Sequence, residues 1–113
     1  MKFLLTQDEA KRQIEGQLIS SVTVIRTPKN NKPSDGYEYE IVFYDKDGNQ
    51  HYILVKQRGA VRKFKSISAA ENIILEIGMR FYSVLMLEYQ LDPERYEKLM
   101  DHRFNELYDF MRR

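Results

Sequence analysis

The chain reads as a single α+β domain over residues 1–113, with a twisted, mainly antiparallel sheet in the order α-β-β-β-β-α-β-α and a long C-terminal helix. Three observations lead to that class. Tyr37, Tyr39, Ile41 and Phe43 alternate with Glu38, Glu40 and Val42, the two-residue period of a half-buried strand. Thr6–Glu9 and Ser68–Glu71 both have the spacing of a helix capping box ahead of apolar residues. Behind Asp92-Pro93, an apolar stripe recurs at helical spacing from Tyr96 to Met111.

The first helix is expected to start at Thr6, whose hydroxyl can accept from a first-turn amide while Glu9 reaches back to the cap amide. Leu5 can staple onto Ala10, and Ala10, Ile14 and Leu18 form a narrow apolar stripe. Ile19–Arg26, rich in β-branched residues, is expected to be a strand. Thr27–Gly36, with two prolines, two asparagines and a glycine, is a surface loop.

After the Tyr37 strand, Asp45-Lys46-Asp47-Gly48-Asn49 suits a type I turn with a glycine bulge. If Asp45 faces Asn49, Ile41 faces Ile53, Tyr39 faces Val55 and Glu38 faces Lys56. Arg58-Gly59 then turns the chain and Val61–Lys65 adds a third strand to the meander. The second capping box, at Ser68, opens a helix that stops at Gly78 in a left-handed conformation. Phe81–Tyr89 is apolar on both parities, so as a strand it would be covered on both faces; the alternative is a buried helix continuing through Gly78. Proline at the first position of the last helix is harmless, because its missing amide is unbonded there anyway.

Composition narrows the functional classes. At 113 residues and 42% hydrophobic the chain can bury one core, and a net charge of +1 confines any polyanion binding to local clustering. The absence of cysteine excludes disulfides, thiolate metal sites and thiol catalysis, and fits a reducing, cytoplasmic location. The apolar run at the N-terminus ends at Thr6, too short for a signal peptide, and no window is apolar enough for a membrane span.

The sharp charge feature lies between Val55 and Lys65, where Lys56, Arg58, Arg62, Lys63 and Lys65 occur with no acidic residue among them. On a hairpin these cations could track a phosphate backbone, and Arg62 would suit a bidentate contact. The competing reading is an edge hairpin guarded by lysines, with Glu38 and Glu40 neutralising part of the cluster. In the expected register Tyr44, Tyr52 and Leu54 share a face with Lys56, as a base-stacking platform requires, unless the terminal helix lies over them. His51 and His102 form no ligand pair, and Asp45, Asp47 and Asn49 lack the glycine position and distal glutamate of a calcium loop, so no metal or cofactor is expected. No paired acid and base points to catalysis, and the protein is expected not to be an enzyme. Tyr96, Met100, Phe104, Leu107 and Met111 are candidates for a homodimer or protein-partner interface, their alternative being ordinary core.

The segment His51–Gly78 resembles small plasmid- and mobile-element-encoded accessory proteins, in which a strand, an arginine-glycine turn and an F-K-S-[LI]-x-A-A box lead into a helix ending at glycine. Arg58, Gly59, Arg62, Phe64, Lys65, Ser66, Ala69, Ala70, Ile77 and Gly78 occupy those positions, about a quarter of the chain. The strand-and-helix order is also similar to the arm-site-binding domains of tyrosine recombinases. That resemblance implies DNA contact by Lys56, Arg58, Arg62 and Lys63, although the leading helix and strand and the long terminal helix depart from that pattern. The expected function is therefore that of a DNA-associated accessory protein of a mobile element, or else an interaction or homodimeric scaffold module with no nucleic-acid role.

Overall fold

The computed structural model describes residues 2–46, 50–57 and 59–100. The elements are β1 (Lys2–Leu5), α1 (Gln7–Glu15), β2 (Ile19–Pro28), β3 (Tyr37–Asp45), β4 (His51–Leu54), α2 (Ile67–Glu76), β5 (Ser83–Met86) and α3 (Pro93–Met100). They build a five-stranded sheet in the order β1-β4-β3-β2-β5.

The class is α+β as expected, but the sheet is mixed rather than mainly antiparallel. The central β2-β3 and β3-β4 pairs are antiparallel, while β1 lies parallel to β4 and β5 parallel to β2. The added leading strand comes from Lys2–Leu5, which has too few residues to show a period. It is a strand because β4 offers it an edge, with the Leu5 carbonyl accepting from Val55 N at 2.9 Å.

Helices cover both faces. Ala10 of α1, Ala70 and Ile74 of α2, and Ile77 at the C-cap of α2 pack with Val22, Val24, Ile41, Phe43 and Leu54. On the other face Leu99 and Met100 of α3, with Tyr96, pack on Ile25, Val42, Tyr44 and Ile53. The helix signals act locally. Thr6 Oγ1 accepts from Glu9 N at 3.3 Å and Glu9 Oε1 accepts from Thr6 N at 3.0 Å. The bond to the Thr6 backbone holds the Glu9 carboxyl below its ordinary pKa. The apolar stripe stops short of its expected end: α1 finishes at Glu15, and Leu18 is half exposed.

α2 is capped two residues earlier than expected. Ser66, not Ser68, accepts from Ala69 N at 3.1 Å, because the chain leaves its pairing with β3 at Phe64 and Ser66 is the first hydroxyl then available. At the other end Gly78 has φ 103°, with Gly78 N donating to Leu75 O and Met79 N to Ile74 O, a Schellman closure.

The β3-β4 register differs by one residue from expectation. Tyr44 faces His51, Phe43 faces Tyr52 and Val42 faces Ile53, since Asp45 N donates to Gln50 O and the connection is one residue longer. A single-residue shift exchanges faces. Ile53 therefore joins the α3 side, and Tyr52 and Leu54 join Ile41 and Phe43 on the α1/α2 side. The tip of the turn, residues 47–49, lies outside the described residues.

Val61–Lys65 is not a full strand but two bridges, Val55–Val61 and Tyr39–Phe64. β5 is covered less than expected: Val84 and Met86 are exposed on one parity, while Ser83 and Leu85 are partly buried on the other. Asp92 Oδ1 accepts from Arg95 N at 2.9 Å, capping α3, which is described over Pro93–Met100. The expected continuation through Phe104, Leu107, Tyr108 and Met111 lies outside the described residues.

Candidate nucleic-acid interface

The basic segment folds as a hairpin that leaves the sheet at Val55. Lys56 N donates to Ala60 O at 2.8 Å and Gly59 N to Lys56 O at 2.8 Å, with Gly59 at φ 87° supplying the reversal. The returning arm is fastened on both sides. Arg62 N donates to Leu54 O at 3.0 Å, and Phe64 exchanges both backbone bonds with Tyr39.

This return sorts the cations. Lys56 and Lys65 are exposed, and neither is in an ion pair among the described residues. Arg62 turns toward the start of α1, where Nη1 donates to Gln7 Oε1 at 2.8 Å, and its guanidinium carbon lies 5.1 Å from the Phe64 ring centre. Lys56 and Arg62 line one side of an open cleft of about 350 Å³ whose other walls are Thr6, Gln7, Asp8, Val55 and Gln57. Arg58 lies outside the described residues.

Lys63 faces the other way. Its Nζ is 3.1 Å from Glu38 Oε1 and 3.3 Å from Glu40 Oε1, so it replaces Lys56 as the partner expected for Glu38. The reason is topological: beyond Leu54 the β4 strand leans toward β1, and the returning arm takes its place beside β3. Burial alone would lower the Lys63 pKa, but the Glu40 and Glu38 carboxylates outweigh it and hold it above the ordinary lysine value. Glu40 also accepts the Tyr96 hydroxyl on Oε2 at 3.0 Å. Burial and the adjacent Glu40 charge push the Tyr96 hydroxyl well above the ordinary tyrosine pKa. Lys63, Glu40 and Tyr96, with Thr27, Gln90 and Leu91, line a small cavity of about 160 Å³. A lysine held charged and a tyrosine held neutral form a satisfied network. Neither is poised to take a proton near neutral pH.

The base-stacking platform is not formed. Tyr44 lies under α3, Tyr52 and Leu54 lie on the opposite face, and Tyr44 and Leu54 are 5% and 0% exposed. Of the expected interface candidates, Met100 is fully buried and its sulfur accepts from the Tyr44 hydroxyl at 4.0 Å, while Tyr96 is partly buried against the same cluster. Phe104, Leu107 and Met111 lie outside the described residues. His51 is buried on β4 opposite Tyr44, the two ring centres 6.5 Å apart. Among the described residues no three His, Asp or Glu side chains gather in a way that could hold a metal ion. Among them, too, no helix is long and apolar enough to cross a membrane.

No family model, curated protein or solved structure matches the chain. The site therefore has to be read from its own geometry. Gln7, which positions Arg62, was not singled out as a site residue from the sequence, and Tyr96, which holds Glu40, was singled out only as an interface candidate. Gln7 carries no signal beyond its place in the first turn of α1, and Tyr96 reads there as one more apolar-stripe residue.

Proposed function

We propose that the protein is a non-enzymatic, DNA-associated accessory protein, in keeping with its resemblance to mobile-element-encoded proteins, and that the hairpin crest holds backbone phosphates. The observation that carries this reading is the pairing of Lys56 and Arg62 in one open cleft, neither of them in an ion pair among the described residues. Arg58, between them, and Lys65, just beyond, extend the same row in sequence. Lys63 is the weakest member, since Glu38 and Glu40 already hold its charge.

Such a site contacts phosphates rather than base edges, so its affinity should depend steeply on salt and little on sequence. Fluorescence anisotropy on a duplex at several salt concentrations tests it. Lys56→Ala with Arg62→Ala should weaken binding uniformly and lower the salt slope by about one per lost contact. No detectable binding at low salt, or an unchanged slope in the double variant, overturns the reading.

A further inference from the structure

The exposed apolar residues of β5 and its flanks are arranged symmetrically. Phe81, Val84, Met86 and Tyr89 are 60%, 40%, 57% and 51% exposed. β5 is the last strand of the sheet, with no neighbour on its outer side among the described residues. Leu87 N donates to Arg26 O at 2.9 Å, so by alternation the peptide groups of Ser83, Leu85 and Leu87 point toward β2. Those of Val84 and Met86 then point out from the sheet. Free edges are usually guarded by lysine, proline or an inward charge, yet Phe81–Leu87 contains none of these.

We propose that β5 pairs antiparallel with β5 of a second copy of this chain, about a two-fold axis at Leu85, so that one sheet runs through both copies. In that register Val84 lies opposite Met86 of the second copy, and the pair exchanges both backbone bonds. Leu85 meets its own counterpart as a non-hydrogen-bonded pair. Phe81 and Tyr89, four residues to either side of Leu85, lie beyond the strand and flank the paired segment at its two ends. Other centres lose this match. An axis at Leu87 or Ser83 sets Met86 against Glu88 or Arg80, and one at Val84 sets exposed Phe81 against buried Leu87. An edge whose apolar residues are complementary to themselves fits a closed, isologous contact. This contact is independent of the hairpin cleft and of its proposed DNA role.

Sedimentation velocity on the full chain should show a dimer at high concentration. Met86→Lys should shift it to monomer with an unchanged far-UV circular dichroism spectrum, because Met86 is more than half exposed. Because the chain has no cysteine, Leu85→Cys should give a disulfide-linked dimer on mild oxidation. A non-hydrogen-bonded pair sets the two Cα atoms about 4.5 Å apart, within disulfide reach. A wild-type chain that stays monomeric, or a dimer that survives Met86→Lys, overturns the proposal. A folded Leu85→Cys variant that dimerises without crosslinking overturns the two-fold at Leu85. Should that variant fold poorly, the wild-type and Met86→Lys sedimentation still decides.

Discussion

Tyr96 on α3 donates its hydroxyl to Glu40 on β3 at 3.0 Å, and the bond joins the terminal helix to the middle of the sheet. The other carboxylate oxygen of Glu40 takes the Lys63 ammonium, so one nearly buried acid links α3, β3 and the base of the basic hairpin. Removing the hydroxyl by Tyr96→Phe should cost about 1.5–3 kcal/mol, the range for a hydrogen bond to a charged group, toward the lower end because Lys63 still holds Glu40. Urea unfolding of the two proteins measures it, and equal midpoints would show that the bond contributes nothing.

The same pair makes a prediction about alkaline pH. The Tyr96 hydroxyl is raised in the folded protein, so the unfolded chain ionises first. Its contribution to stability is complete below the ordinary tyrosine pKa of about 10 and is lost as pH rises from there through the folded value. The raised Lys63 pKa acts in the same direction. Thermal unfolding should therefore weaken above about pH 10, and Tyr96→Phe should flatten that limb. Absorbance titration should show a late-ionising tyrosine that is lost in the variant.

Lys63 and Arg62 are neighbours in sequence with different work. Lys63→Ala should cost about 1 kcal/mol, a modest figure because the lysine side chain is 44% exposed and its ion pairs are screened. It should leave the salt slope of DNA binding near its wild-type value. Arg62→Ala should lower that slope while affecting stability mainly through the lost Gln7 contact. The reverse pattern in paired anisotropy and unfolding measurements would assign the phosphate contact to Lys63.

Ser66 and Ser68 separate the two candidate caps of α2. Ser66→Ala removes the acceptor for Ala69 N and should cost about 0.5–2 kcal/mol. Ser68→Ala, inside the first turn, should stay within about 0.5 kcal/mol. Chemical denaturation of both variants distinguishes the cap that forms from the one the spacing suggests.

Gly78→Ala tests the helix stop. A Cβ there would meet Ile14 Cγ2 at 3.7 Å, ordinary contact, so the cost is conformational and comes from φ 103°. A loss of about 1–3 kcal/mol is expected. Gly16→Ala, at φ −80°, meets Arg12 O at 3.3 Å instead and provides a steric comparison without the backbone strain.

What the chain settles by itself lies within a turn or two of each residue. The capping box at Thr6, the Asp92 cap before Pro93 and the glycine stop at Gly78 form as read, because their partners are three to five residues away; Tyr37–Phe43 alternates between faces as a strand, but both faces are covered rather than one. Tertiary structure decided the rest. Lys2–Leu5 became a strand when β4 offered an edge, and one more residue in the β3-β4 connection moved Ile53 to the α3 face. The return of the hairpin beside Tyr39 gave Glu38 and Glu40 to Lys63 and left Lys56 and Arg62 on the open cleft. Charge and residue type marked the basic row. Which of its members remain available depended on register, and register is set by hydrogen bonds between strands whose sequences do not encode their separation.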